Sequence, residues 1–312
     1  MQYSRDMPAW DFASELSRHG PHAAQSPRMT PDEAAAYCRR LAKSHYENFT
    51  VASWLLPPRL REHFYSVYAY CRWADDLADE AGDADYSLKL LDWWERQLDD
   101  CYRGRAVHPV FLALMETIEL FDIPPEPFRN LLVAFRQDQR KTRYETFDEL
   151  LGYCVNSANP VGRLVLYLGR AHDAENARLS DDICTALQLA NFWQDVARDY
   201  DRGRIYLPRE TTRRFGYDDE MFERREFNEA FARSLALEVD RAQALFDSGS
   251  PLVERVPKEL RIDVELFLRG GLAVLQAIRR SGYNVWRKRP TVGKWRKLRL
   301  LFSAWRASRV AH

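Results

Sequence analysis

Apolar residues recur every three or four positions along most of the chain, and this spacing is the period of an α-helix. The stretch Thr30-Pro31-Asp32-Glu33 predicts a helix start, since it combines an N-cap, a proline at the first helical position and acids in the first turn. That helix runs through Tyr37, Leu41 and His45, and the next begins after Pro57-Pro58. Further helices are predicted near 86–103, 108–122, 125–141, 145–170, 178–202, 225–249 and 257–288.

The chain has no period-two alternation that would predict β-strands, no internal repeat and no linker rich in glycine or serine. We therefore expect an all-α protein with a single helical domain over residues 31–290. Residues 1–30 mix proline, serine, histidine and glutamine without periodicity, and we interpret them as a mobile N-terminal segment. Residues 291–312 form a separate tail.

The tail has the pattern of a short basic amphipathic helix. Its apolar anchors, at spacings of three and four, are Trp295, Leu298, Phe302 and Trp305. The basic residues between them are Lys294, Arg296, Lys297 and Arg299. Such a helix suits an anionic membrane surface. Packing on the body of the protein with a solvated basic face is an equal alternative.

Charge and cysteine content narrow the class of protein. With 46 basic and 46 acidic residues, the chain as a whole is not an electrostatic binder of nucleic acid. The five cysteines form no CxxC pair, which argues against a disulfide framework and against a zinc site. The start of the chain lacks the apolar region of a signal peptide, and no apolar stretch is long enough to span a bilayer. We expect a cytoplasmic protein whose tail is the segment suited to the inner face of the membrane.

The first acidic motif is Arg72-Trp73-Ala74-Asp75-Asp76-Leu77-Ala78-Asp79-Glu80. Asp75 and Asp79 are four residues apart, so both carboxylates project from one face of a helix. Tyr68 and Arg72 lie on the same face, two turns and one turn before Asp75. A run of this kind is more often a solvated surface than a site, and the motif alone does not decide between the two.

The second motif is a polar stripe made of Gln188, Asn191, Asp195 and Asp199. Its spacings of three, four and four follow one face of a helix whose other positions are mostly apolar. A polar stripe on an apolar helix favours a cavity over bulk water. Two such stripes in one helical chain make a functional site the better interpretation.

Converging carboxylates repel one another unless cations lie between them. Mg²⁺ binds through a few carboxylates and substrate phosphate, so a diphosphate would complete its coordination. Departure of the diphosphate leaves a carbocation, which aromatic faces stabilise. The aromatic candidates are Phe49, Trp54, Tyr68 and Trp193, with ordinary core packing as the alternative for each. Motifs of serine hydrolases, nucleotide-binding loops and paired-histidine metal sites are absent.

The motifs together resemble the squalene/phytoene synthase family of trans-isoprenoid synthases. The similar segments are HYENF at 45–49, VYAYCRWADDLADE at 67–80, RYETFDELLGYC at 143–154, QLANFWQDVARDYDRGRIYLP at 188–208, and Tyr283. The resemblance implies a helical domain with a central cavity between the two motifs, an isoprenoid diphosphate as substrate and Mg²⁺ as cofactor.

By this resemblance, each motif position receives a role. The Mg²⁺-binding residues are Asp75, Asp79, Asn191, Asp195 and Asp199. The four aspartates and Arg72 are the expected catalytic residues. The expected substrate-binding residues are His45, Asn48, Phe49, Tyr68, Arg72, Gln188, Asn191 and Tyr283.

Two departures from the family pattern change the expected reaction. Members that condense two prenyl diphosphates carry YVAGxVG, whereas this chain has VNSANPVG at 155–162, a stretch without a tyrosine, and we interpret Val155 as the residue in place of the family's cavity tyrosine. An arginine that commonly precedes Asp195 is Gln194 here. The sequence therefore resembles the hydroxysqualene-forming branch of bacterial hopanoid pathways, which ionises presqualene diphosphate and captures the cation with water. Three polar residues of that segment, Asn156, Ser157 and Asn159, are candidates for holding the water.

Two alternatives remain open. One is a head-to-head synthase making squalene or phytoene from two prenyl diphosphates. The other is a catalytically silent family member that acts as an assembly factor, which the four intact motif aspartates argue against.

Overall fold

The computed structural model describes residues 10–23, 29–44 and 58–292. Within these ranges the regular structure consists of fourteen helices, and the only β-type pairing is an isolated bridge between Arg143 and Ile205. The prediction of an all-α fold is confirmed. Contacts along the chain divide it into two compact units, residues 1–139 and 140–312.

The first unit contains six of the described helices. They are α1 (Phe12–His19), α2 (Pro31–Ser44), α3 (Pro58–Asp79), α4 (Ala84–Tyr102), α5 (Pro109–Phe121) and α6 (Glu126–Asp138). Helix α3 packs against α2, α4, α5 and α6, and is therefore the central helix of this unit.

Aromatic side chains fill the core of the first unit around α3. Trp73 stacks on Trp94 of α4, with ring centroids 5.4 Å apart, and both side chains are fully buried. Tyr70 lies against Phe128 of α6 and donates a hydrogen bond from its hydroxyl to the Phe128 carbonyl at 2.9 Å. Large buried aromatics of this kind supply much of a core's hydrophobic stabilisation. They hold rigidly the helix whose last turns carry the first acidic motif.

The second unit contains the remaining eight described helices. They are α7 (Phe147–Ser157), α8 (Asn159–Leu168), α9 (Ala174–Asp201), α10 (Arg209–Phe215), α11 (Asp219–Glu223), α12 (Glu229–Gly249), α13 (Leu252–Arg255) and α14 (Lys258–Arg280). Helix α9 has 28 residues and packs against α7, α8, α12 and α14. Asp173 caps it by accepting a hydrogen bond from the Asn176 N–H at 2.7 Å. The second acidic motif lies on the C-terminal half of this central helix.

Several details differ from the pattern-based predictions. The helix predicted near 145–170 is two helices, because the chain breaks at Ala158 before the Asn159-Pro160 pair that opens α8. Helix α1 lies inside residues 1–30, where no periodicity was recognised, and its Phe12 and His19 are buried. The other predicted helices are present, and most of their ends lie within two residues of the predicted ones. The domain bounds at 31 and 290 stay predictions.

Two further expectations concern membrane-spanning helices and the basic tail. None of the helices in the described ranges has the length and apolar character needed to cross a bilayer. The basic tail lies outside the described residues from position 293 onward, so its amphipathic helix stays a prediction.

Candidate active site

The first acidic motif lies at the C-terminal end of α3. Asp75 is half-buried and Asp79 is exposed, which fits a pair of carboxylates accessible to a ligand. The Arg72 guanidinium donates from Nη1 to Asp75 Oδ2 at 3.2 Å and from Nη2 to Glu80 Oε1 at 3.4 Å. The structure therefore brings Arg72 together with the motif's own carboxylates.

Asp76 was not predicted as a site residue, and it is the most buried acidic residue of this motif, with 1% of its surface exposed. Its Oδ1 forms an ion pair with Arg72 Nη2, and its Oδ2 accepts a hydrogen bond from the Trp10 indole N–H at 3.0 Å. Burial raises the pKa of Asp76 to about 7, against the opposing effects of Arg72 and Trp10. Spacing gives no signal for Asp76, because the residue after Asp75 points roughly 100° away from the Asp75–Asp79 face.

Tyr68 lies two turns before Asp75 on the same helix and is half-buried. Burial raises the pKa of its phenol to about 12, although the nearby Arg72 acts in the opposite direction. Tyr68 is therefore neutral at physiological pH and carries a proton that it can donate to an anion.

The four residues of the second motif lie along α9 and differ in how far they are exposed to solvent. Asn191 is exposed, Gln188 and Asp199 are half-buried, and Asp195 is buried. Burial raises the pKa of Asp199 to about 7, and the negative charge of Asp195 adds to the increase. A cation between these two carboxylates would remove that penalty, which is the electrostatic signature of a metal-binding pair.

Arg289 is a contact of the second motif that local spacing could not reveal. Its Nε and Nη2 bind the two carboxylate oxygens of Asp195 at 2.5 and 2.7 Å, a bidentate pair. The Gln194 side chain donates to the Pro290 carbonyl at 2.5 Å, so the residue that replaces the family's arginine holds the Arg289 segment in place. Trp286, packed 5.6 Å from the Phe231 ring, anchors the same segment from the other side.

Two of the remaining predicted residues, Tyr283 and Trp193, lie in the second unit. Tyr283 follows α14 with a positive φ of 63° and a half-buried side chain. Trp193 is fully buried in the core, so the structure contradicts a role for its face in contacting a carbocation. His45, Asn48, Phe49 and Trp54 lie outside the described residues.

The break between α7 and α8 separates the three candidate water-holding residues. Asn159 is buried, and its side-chain oxygen accepts a hydrogen bond from Thr185 Oγ1 at 2.9 Å. The Ser157 hydroxyl oxygen is buried, on the same side of α7 as Tyr153 and Cys154. Val155 is 48% exposed and its neighbour Asn156 is half-buried. Of the three, Asn156 keeps an accessible amide beside Val155.

A small pocket of about 10 Å³ lies beside the last turns of α9. Its lining includes Asp199, Arg204 and the aromatic rings of Phe192, Tyr206 and Phe222. A site for a drug-sized ligand is usually 300–1,000 Å³. This pocket is therefore too small to be the binding site of a long isoprenoid.

The residues of both motifs fit a divalent cation that is shared with a ligand. Among the described residues, no group of three or more histidine, cysteine or acidic side chains is arranged to hold a metal by itself. Each motif offers two carboxylates, and the second adds the Asn191 amide. Mg²⁺ commonly binds through one or two carboxylates and completes its shell with water and phosphate. The donor sets therefore suit Mg²⁺ carried with a diphosphate.

The all-helical architecture with an aspartate pair on each of two central helices defines a protein of the isoprenoid synthase fold. Residues 42–296 match the squalene/phytoene synthase family, and the chain belongs to that family of enzymes. Its members are head-to-head isoprenoid synthases.

Among solved structures, the chain is similar to the squalene synthase HpnC from Alicyclobacillus acidocaldarius. The two share 49% identity over 81% of this chain and 96% of that one, with a TM-score of 0.79. A dehydrosqualene synthase in complex with a ligand aligns with a TM-score of 0.80 and 27% identity, over 90% of this chain and 98% of that one. The chain is also 30% identical to the 15-cis-phytoene synthase of Synechocystis sp., over 93% of this chain and 90% of that protein.

Proposed function

We propose that the protein is a hydroxysqualene synthase, which ionises presqualene diphosphate with the help of Mg²⁺ and captures the rearranged cation with water. The products are hydroxysqualene and diphosphate. The similarity to HpnC, whose name belongs to hopanoid biosynthesis, supports a place in that pathway.

The observation that carries the proposal is the absence of a tyrosine from the VNSANPVG segment at 155–162. Condensing members of the family carry a tyrosine in this segment, and we assign that tyrosine to the first half-reaction, the formation of the cyclopropane. Neither Val155 nor Asn156, the residues at the start of the segment, has a hydroxyl that could exchange a proton. Ionisation of a preformed cyclopropyl diphosphate needs only the leaving-group machinery, which this chain retains.

The leaving-group machinery that we propose is drawn from the two acidic motifs. Asp75, Asp79, Asp195, Asp199 and Asn191 would hold Mg²⁺, which supplies Lewis-acid stabilisation of the departing diphosphate. Arg72 and Tyr68 donate hydrogen bonds to its oxygens, which spreads the developing negative charge.

For water capture we assign Asn156 as the residue that positions the nucleophile. Its half-buried amide lies next to Val155, whereas the Asn159 amide oxygen is engaged by Thr185. Asn156→Ala should lower the ratio of alcohol to hydrocarbon products by about tenfold, since one lost hydrogen bond to the reacting water is worth about 1 kcal/mol or more. Ser157→Ala is the matched control and should leave the ratio unchanged. An unchanged ratio in Asn156→Ala would remove this residue from the mechanism.

A second candidate function is head-to-head condensation of two prenyl diphosphates. The names of the relatives favour it, because the Synechocystis sp. protein is a phytoene synthase and the Alicyclobacillus acidocaldarius protein is called a squalene synthase. Incubation with farnesyl diphosphate alone separates the two candidates. Our proposal predicts no C30 product from that substrate and turnover of presqualene diphosphate, and a C30 product from farnesyl diphosphate alone would favour condensation.

A catalytically silent assembly factor is the non-enzymatic alternative. Metal-dependent release of diphosphate from presqualene diphosphate by the purified protein would exclude it. All four motif aspartates are present, which a silent protein has no chemical reason to keep.

A further inference from the structure

We propose that Trp10 and Asp76 are positioning residues for Arg72, so that the segment around helix α1 sets the orientation of the guanidinium in the first acidic motif. The coupling among these three side chains is a property of the first unit. Only the identity of what Arg72 binds, a diphosphate, rests on the proposed function.

The Arg72 guanidinium is bound by three carboxylates of very different exposure. Its partners Asp75 and Glu80 have side chains 44% and 49% exposed, whereas that of Asp76 is 1% exposed. Exposed ion pairs contribute little because water and salt screen them. The buried Asp76 carboxylate is therefore the partner that fixes the guanidinium, through Nη2. The other terminal nitrogen, Nη1, contacts the half-exposed Asp75 at 3.2 Å and is the nitrogen that we assign to an incoming anion.

The Asp76 carboxylate is itself held from its other side. Its Oδ2 accepts from the Trp10 indole N–H at 3.0 Å, while its Oδ1 faces Arg72. A buried charge is stable only when it is paired and hydrogen-bonded. Loss of the indole donor would leave Oδ2 without this hydrogen bond, and the carboxylate would be free to turn. A turned carboxylate would hold the Arg72 guanidinium less firmly.

Trp10 is in turn placed by the packing of α1. The Trp10 ring meets Trp73 and Tyr37 edge-on, with centroids 6.0 and 6.2 Å away. Two residues further, at the first residue of α1, Phe12 packs on Trp73, and the Tyr37 hydroxyl donates to Glu15 of α1 at 2.9 Å. The Trp10 indole N–H thus reaches Asp76 from the residues directly before a docked helix. This contact spans 66 residues of sequence.

The test is NMR of arginine side chains in the full-length protein, with the Arg72 Nε–H signal assigned from its loss in Arg72→Lys. Trp10→Phe keeps an aromatic ring and removes only the indole donor. We expect it to shift the Arg72 signal and to speed rotation about the Arg72 Nε–Cζ bond. Phe12→Leu is the matched control, because it loosens α1 without touching Asp76, and it should leave the signal in place.

An unmoved Arg72 signal in Trp10→Phe would overturn the proposal. So would an equal shift in Phe12→Leu, since the effect would then report general loosening of α1. Asp76→Asn should shift the signal further than Trp10→Phe. If that variant does not fold, Trp10→Phe and its control decide the question.

Titration with pyrophosphate and Mg²⁺ keeps this proposal separate from the proposed function. In the wild type, pyrophosphate should move the Arg72 signal, and Trp10→Phe should weaken that binding about threefold or more, as expected for one indirect hydrogen bond. Absence of any effect of pyrophosphate on the wild-type signal would refute the role of Arg72 in diphosphate binding. The coupling of Trp10 and Asp76 to Arg72 would then be tested by the change of the Arg72 signal in Trp10→Phe alone.

Discussion

Three aspartates, Asp76, Asp199 and Asp263, have pKa values that burial raises to about 7. Cationic side chains oppose the effect at Asp76 and Asp199, and both residues belong to the acidic motifs. At Asp263 on α14, burial is the whole cause, and neither carboxylate oxygen has a hydrogen-bond partner among the described residues. A carboxyl group in such a place is stable only as the neutral acid.

Asp263 should therefore make folding stability depend on pH. The folded state keeps a proton up to about pH 7 that the unfolded chain releases near pH 4, so stability falls as pH rises between these values. Asp263→Asn cannot ionise, and we expect it to be more stable than the wild type by about 2 kcal/mol at pH 8 and equally stable at pH 4. Urea unfolding across this range is the measurement. Parallel pH profiles for the two proteins would refute the assignment.

For individual residues, sequence spacing predicted which face of each helix carries the motif side chains. It did not predict which distant side chains contact them. Trp10 reaches Asp76 across 66 residues, and Arg289 reaches Asp195 across 94. Periodicity describes neighbours within one helix, so contacts made by the folding of distant segments leave no signal in it. The same limit applied to Trp193, whose burial against other helices could not be distinguished from a place in a cavity.

At the scale of elements, the long helices were predictable because each has a broad apolar face that must be buried. Helices α10, α11 and α13 have only seven, five and four residues, too few for a period to be recognised. The break between α7 and α8 was missed because the apolar pattern continues through Ala158 while the backbone does not. Helix α1 was missed because eight residues among prolines and polar side chains resemble a loop.

Close packing of α8 on α9 depends on Gly162. A Cβ atom there would lie 2.3 Å from Ser180 Oγ and 2.5 Å from Cys184 Sγ, both on α9. We expect Gly162→Ala to destabilise the protein by about 1–3 kcal/mol, because overpacking forces the helices apart. Gly152→Ala on α7 is the control, since its Cβ would meet no atom within 4 Å and alanine favours helix. Thermal unfolding that ranks Gly152→Ala below Gly162→Ala in stability would contradict this account of the interface.

At the scale of the whole molecule, the proposed function assigns the second acidic motif a part in the ionisation of the diphosphate. Asp195→Asn should lower diphosphate release from presqualene diphosphate by about 100-fold, as is typical for loss of an electrostatic contact in a transition state. Asp201→Asn lies on the same helix and pairs on the surface with Arg225, so it should keep nearly full activity. Equal activity of Asp195→Asn and the wild type would separate the second motif from the chemistry.

The most direct test of the central claim is turnover of presqualene diphosphate in ¹⁸O-labelled water, with Mg²⁺ and with a chelator. The C–O bond to diphosphate breaks, and the new C–O bond forms with water, which then loses a proton. The account predicts hydroxysqualene as the major product, one ¹⁸O atom in its hydroxyl group, unlabelled diphosphate, and no reaction without the metal. A hydrocarbon as the major product, or an alcohol without label, would contradict it.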